Sequence, residues 1–163
     1  MKKIFELEQE IKRILEKATS NIILKGYSSV EKMSKVVERS PKVIVGQIPK
    51  ENLEEIVPCI TIKSPKGKNA LTERQIELRI ALAIFNDSSE EGYSQLYDLL
   101  ESIGKVIIEK GTLLNEFEIL PEYNWNLLEE QPYPYWAGEI IFNILGNKQY
   151  RTDIDDWING REY

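Results

Sequence analysis

The sequence predicts an α+β fold, a single mixed or antiparallel sheet of about five strands with helices packed on it. Three observations carry that expectation. From Ile76 to Ile84 apolar residues fall at every second position (Ile76, Leu78, Ile80, Leu82, Ile84), with Glu77 and Arg79 opposite, which is the period of a half-buried strand. Ala81, Ala83 and Phe85 make its far end apolar on both faces, so this strand, placed at 73–86, runs into the interior. Directly after it, Tyr93, Leu96, Leu100, Ile103 and Ile107 recur at spacings of three and four, with Tyr97, Leu99 and Val106 widening the stripe of an amphipathic helix over 90–110. The third observation is composition: 163 residues, 42% apolar and 29% charged, suffice for one domain with its own core.

Taken in order, Ile4, Leu7, Ile11, Ile14 and Ala18 share one face, with Phe5 and Leu15 beside it, which predicts a core-facing helix over 3–19. Ile22-Ile23-Leu24 either extends that helix or forms a buried connector. Ser28 or Ser29 then caps a second helix with the stripe Val30, Met33, Val36 and Val37, ending before Pro41. The expected domain covers 1–145, with N-terminal helices over 1–40 and the sheet plus the long helix over 41–145. Residues 146–163 are left as a C-terminal tail.

The β-branched run at 42–48, closed by Pro49, predicts the first strand, and Pro58 opens a second at 58–63. Ser64 to Thr72 is polar, contains Pro65 and Gly67, and reads as a long hairpin loop. That loop holds Lys63, Lys66 and Lys68 together beside Asn69; it is either solvated or ordered against a partner. Asn86-Asp87-Ser88-Ser89 supplies a turn and a helix cap, and Gly111 a helix stop. Weak alternation at 113–120, ended by Pro121, predicts a fourth strand, with Trp125 to Leu128 pairing beside it or lying in a loop. Ile140, Phe142 and Ile144 predict the last strand at 138–145. It is approached through Pro132-Tyr133-Pro134-Tyr135-Trp136, extended backbone whose aromatics cover the sheet margin. In the tail, Asp153 can cap a helical turn presenting Ile154, Trp157 and Ile158, docked on the domain or reaching for a neighbour.

The function classes narrow by subtraction. The formal charge is −6 with no histidine, which removes Ser-His, Cys-His and zinc-histidine sites and disfavours a grip on nucleic-acid phosphates. The single cysteine, Cys59, sits in Val57-Pro58-Cys59-Ile60-Thr61-Ile62, the setting of a buried, inert thiol. No apolar run approaches the roughly 20 residues of a membrane span, so a soluble protein made in a cytoplasm is expected. Glu73, Glu77 and Glu139 could in principle converge on magnesium as in a metal-dependent phosphodiesterase, but they are spaced like the polar faces of two strands. Glycine-rich phosphate loops and nucleophile elbows are missing, and the expectation is no catalytic residue, no metal and no cofactor.

One resemblance adds to this. Lys42-Val43-Ile44-Val45-Gly46-Gln47-Ile48-Pro49, Val57 to Ile62, the long strand ending in Ile84-Phe85-Asn86, the helix start Glu91-Gly92-Tyr93 and the approach Glu130 to Gly138 together resemble phage tail terminator, or tail-completion, proteins. The resemblance covers residues 40–145. It implies a small α/β subunit of tailed phages, prophages or phage-tail-like bacteriocin particles (tailocins), assembled as a homo-hexameric ring in the host cytoplasm and ending in the virion. Its implied partners are the tail tube protein and the neck or head-completion proteins, with DNA passing through the ring unbound; an acidic lining would keep it from sticking. It also places the loop at 64–72 beside a subunit contact. Interface candidates are Lys63, Lys66, Gly67, Lys68 and Asn69 at that loop, and, separately, Tyr133, Tyr135 and Trp136 along the proline-bearing edge and Trp157 in the tail. The N-terminal 40 residues are longer in helix than the resemblance implies and the tail after 146 has no counterpart in it, which keeps another neck or minor tail adaptor protein open.

Overall fold

The computed structural model describes residues 1–28, 35–48 and 53–147. The element order is α1 (Ile4–Thr19), β1 (Leu24–Ser28), β2 (Lys35–Arg39), β3 (Lys42–Val45), α2 (Leu53–Ile56), β4 (Cys59–Asn69), β5 (Arg74–Phe85), α3 (Ser89–Lys110), β6 (Thr112–Leu113), β7 (Phe117–Leu127) and β8 (Tyr135–Gly146). The main sheet has six strands in the order β3-β4-β5-β8-β7-β6, and β1 and β2 form a small two-stranded sheet of their own. β3 lies parallel to β4, and every other neighbour is antiparallel, so the sheet is mixed.

β5 is the centre of the molecule. Ile76, Leu78, Ile80, Leu82 and Ile84 are all buried, and their face continues in Ile140, Phe142 and Ile144 of β8 and in Ile60 and Ile62 of β4. Helices α1 and α3 cover that face. α3 buries Leu96, Leu99, Leu100, Ile103 and Ile107, whereas Tyr93 and Tyr97 lie at its exposed margin. Ser88 caps its start by accepting the Glu91 N–H, and Gly111 ends it at φ 67°, donating to the Ile108 carbonyl at 3.2 Å. Two helix glycines set how close α3 comes to the sheet. A Cβ on Gly92 would overlap the Trp136 indole, and one on Gly104 would sit 2.6 Å from the Tyr123 hydroxyl.

Several expectations are corrected. The second helix foreseen before Pro41 is a strand over Lys35–Arg39, paired antiparallel with Leu24–Ser28; Val30 and Met33 lie outside the described residues. Ile22-Ile23-Leu24 neither extends α1 nor stays a connector at its end, since Leu24 opens β1. This small sheet is tied down by Arg39, which donates to the carbonyls of Glu55 and Val57. On α1 the buried face is Leu7, Ile11, Ile14, Leu15 and Thr19, whose hydroxyl donates to the Leu15 carbonyl at 2.7 Å. Ile4, Phe5 and Ala18 are exposed because the packed face is rotated away from them. The foreseen loop at 64–72 is mostly strand: β4 continues to Asn69, and the turn is confined to 70–73. The fourth strand passes through Pro121 to Leu127, taking in Trp125, with a register break between Ile119 and Tyr123.

Candidate interaction surface

Alternation along a strand sends every second side chain to the face that the helices leave open. On β5 that face carries Gln75, Glu77, Arg79, Ala81 and Ala83; on β8 it carries Ala137, Glu139, Ile141, Asn143 and Leu145. Small side chains at its middle leave a shallow groove of about 290 Å³, lined by Cys59, Thr61, Ala81, Ala83, Ala137 and Glu139 among others. Cys59 lies at the groove's floor, 1% exposed and packed with Val57 and Phe85. Burial pushes its thiol up to about 11, so it stays protonated at neutral pH and is a poor nucleophile.

Towards the turn of the β4–β5 hairpin the same face becomes charged. Glu77, with little of its side chain exposed, accepts from Arg79 Nε at 3.0 Å and lies 3.7 Å from Lys66 Nζ. Glu139 is opposite Ala81, four positions from Glu77 along β5, or about 13 Å at the rise of a strand. Glu73 is in the turn, where it accepts from Gln75. These three carboxylates are not brought together, and among the described residues no group of three His, Cys, Asp or Glu side chains is placed to hold a metal ion.

Lys63, Lys66, Gly67, Lys68 and Asn69 are all exposed on β4, opposite Arg79, Glu77, Ile76, Gln75 and Arg74 in turn. A bulge between Lys63 and Lys66 accommodates Pro65, which has no N–H to give to the ladder. Gly67 is required by the pairing itself, because a Cβ there would stand 2.6 Å from the Gln75 carbonyl oxygen.

The aromatic candidates separate. Tyr133 is 60% exposed and donates its hydroxyl to the Asp87 carbonyl at 2.7 Å, while Tyr135 is half-buried with its ring edge-on to Phe85. Trp136, expected at an interface, is instead buried: its ring lies under Gly92 and against Tyr93, and its Nε1 donates to the Asn86 carbonyl at 3.0 Å. Trp157 lies outside the described residues. Two polar side chains that periodicity could not single out hold this region. Asn86, fully buried, accepts the Ser88 N–H on Oδ1 and donates from Nδ2 to Gln95. Gln131 donates to the Leu128 and Ala137 carbonyls and accepts the Ala137 N–H, closing the proline-bearing turn before β8.

Among the described residues no helix is long and apolar enough to cross a membrane. No protein-family model matches the chain, and a search of curated proteins finds no match.

Proposed function

We propose that this chain is a structural subunit of a phage or prophage tail, of the kind that forms a ring capping the tail tube and joins it to the neck. The observation that carries the proposal is the one-sided sheet. Helices cover one face of β4, β5, β8 and β7, and the other face, small-residue at its middle and charged at the hairpin, is presented outward with lysines exposed along β4. A ring subunit needs two different surfaces, because each copy meets its neighbours through non-identical patches. The formal charge of −6 suits a lumen through which DNA slides without being held. The reading is of an assembly protein, not an enzyme.

The test is electron microscopy of the purified protein mixed with tail tubes of the same particle. Rings seated on tube ends and an arrest of tube growth are the expected result. Tubes that elongate unchanged, with no density at their ends, would remove the proposal. A protein found at the neck but never on a bare tube would favour the adaptor reading.

A further inference from the structure

The main sheet has two edges that its own strands leave uncovered. β3 accompanies β4 only from Cys59 to Ile62, with one further bond from the Gly46 N–H to the Ile62 carbonyl, so no described strand flanks the far side of Lys63 to Asn69. On the opposite side of the sheet β6 accompanies β7 only at Phe117 and Glu118, and no described strand flanks the far side of Leu120 to Leu127. The two edges differ in charge. The first carries Lys63, Lys66 and Lys68, all exposed; the second carries Glu118 and Glu122, followed by Glu129 and Glu130, all exposed. Three carboxylates lie near the basic edge: Glu77 on β5 is shared between Lys66 and Arg79, Glu8 of α1 accepts from the Ser64 hydroxyl, and Glu73 is in the turn beyond Asn69.

The pairing register also aligns them. Straight across the sheet, Lys68 is level with Gln75, Leu145 and Glu118, and Lys63 is level with Arg79, Ile141 and Asn124. Lys66 is level with Glu77 and Asn143, beside the register break that contains Glu122. Strand direction alternates over β4, β5, β8 and β7, so β7 of one copy set beside β4 of the next, in the same orientation, is antiparallel to it.

We infer that copies of this chain join head to tail along these edges, the lysines of β4 against the glutamates of the neighbour's β7; this rests on the ring reading above and says which surfaces make the ring. The join is led by side chains. Pro65 and Pro121 and the bulge beside each interrupt any long backbone ladder, and β6 occupies the backbone side of Glu118. Such devices keep an edge from pairing with arbitrary strands, while opposite charges in matching rows select this one neighbour. Charge-led contacts between exposed groups weaken as salt rises.

The test uses the full chain and two variants, Lys63→Glu/Lys66→Glu/Lys68→Glu and Glu118→Lys/Glu122→Lys, measured by light scattering after size exclusion at low and high salt. All five positions are exposed, and circular dichroism checks that each variant keeps the native spectrum. The parent chain is expected to associate at low salt, each variant to run as a monomer, and an equal mixture of the two variants to associate again, since their reversed edges complement each other. A parent chain that stays monomeric at every salt, or association indifferent to both variants, would overturn the inference. A closed ring that survives both sets of reversals would refute these edges and leave the tail reading standing. Open filaments that require both edges would keep the edges and refute the closed ring.

Discussion

The indole N–H of Trp136 and the carbonyl of Asn86 meet at 3.0 Å, and through that bond the start of β8 is fastened to the turn between β5 and α3. Asn86 also accepts from Ser88 and donates to Gln95, while its own N–H donates to the Pro134 carbonyl. Strand end, helix start and proline turn thus share one buried asparagine.

Asn86→Ala is expected to destabilise the fold by about 1–3 kcal/mol, because it takes the acceptor from the Ser88 N–H and the donor from Gln95 Oε1. Trp136→Phe should cost a similar amount by stripping the donor from the Asn86 carbonyl. A urea titration measures both, and values below about 0.5 kcal/mol would show that water replaces these bonds freely.

Leu100→Ala removes a side chain that is 2% exposed between α3 and the sheet, and a loss of about 2–5 kcal/mol is expected. The neighbouring exposed position Glu101 is the control, since Glu101→Ala touches only the solvated face of the helix.

Gly104→Ala is expected to destabilise by about 1–3 kcal/mol despite alanine's better helix propensity, as the added methyl meets the Tyr123 ring. Pairing it with Tyr123→Leu should return part of that loss. Strict additivity in the double-mutant cycle would mean the two residues do not touch.

Cys59 makes stability depend on alkaline pH. Its thiol titrates near 11 when folded, against an ordinary value near 9, so the unfolded chain gives up its proton first. Stability from this group is complete below about pH 9 and is lost as pH rises towards 11, by roughly 2–3 kcal/mol at most. Comparing Cys59→Ala with the parent across that window isolates the slope, and identical slopes would show the thiol to be solvated.

The parts of the fold written in periodicity were legible. β5 and α3 follow from Ile76 to Ile84 and from Leu96 to Ile107, because each is bounded by unambiguous turn and cap residues and buries one continuous stripe. The small sheet was not: Lys35-Val36-Val37-Glu38 is too short to tell a strand from a helical turn, and its partner, Leu24 to Ser28, is fixed by pairing across the chain. β4 was cut short because Pro65 and Gly67 are loop residues in composition, yet a bulge absorbs the first and close pairing demands the second. Among the site candidates, the exposure of the β4 lysines could be read from their charge. The burial of Trp136 could not, although Gly92 at the start of the α3 stripe leaves the gap that an aromatic ring fills.

Gln131 gives the turn before β8 a chemical lifetime. Its amide supplies two donors, to Leu128 and Ala137, and one acceptor, to the Ala137 N–H. Hydrolysis of that amide to glutamate would retain the acceptor and abolish both donors, setting a negative charge against two carbonyl oxygens and beside Glu129 and Glu130. Ageing of a single side chain would therefore loosen the turn and deepen the acidity of the margin next to β7, with no backbone bond broken.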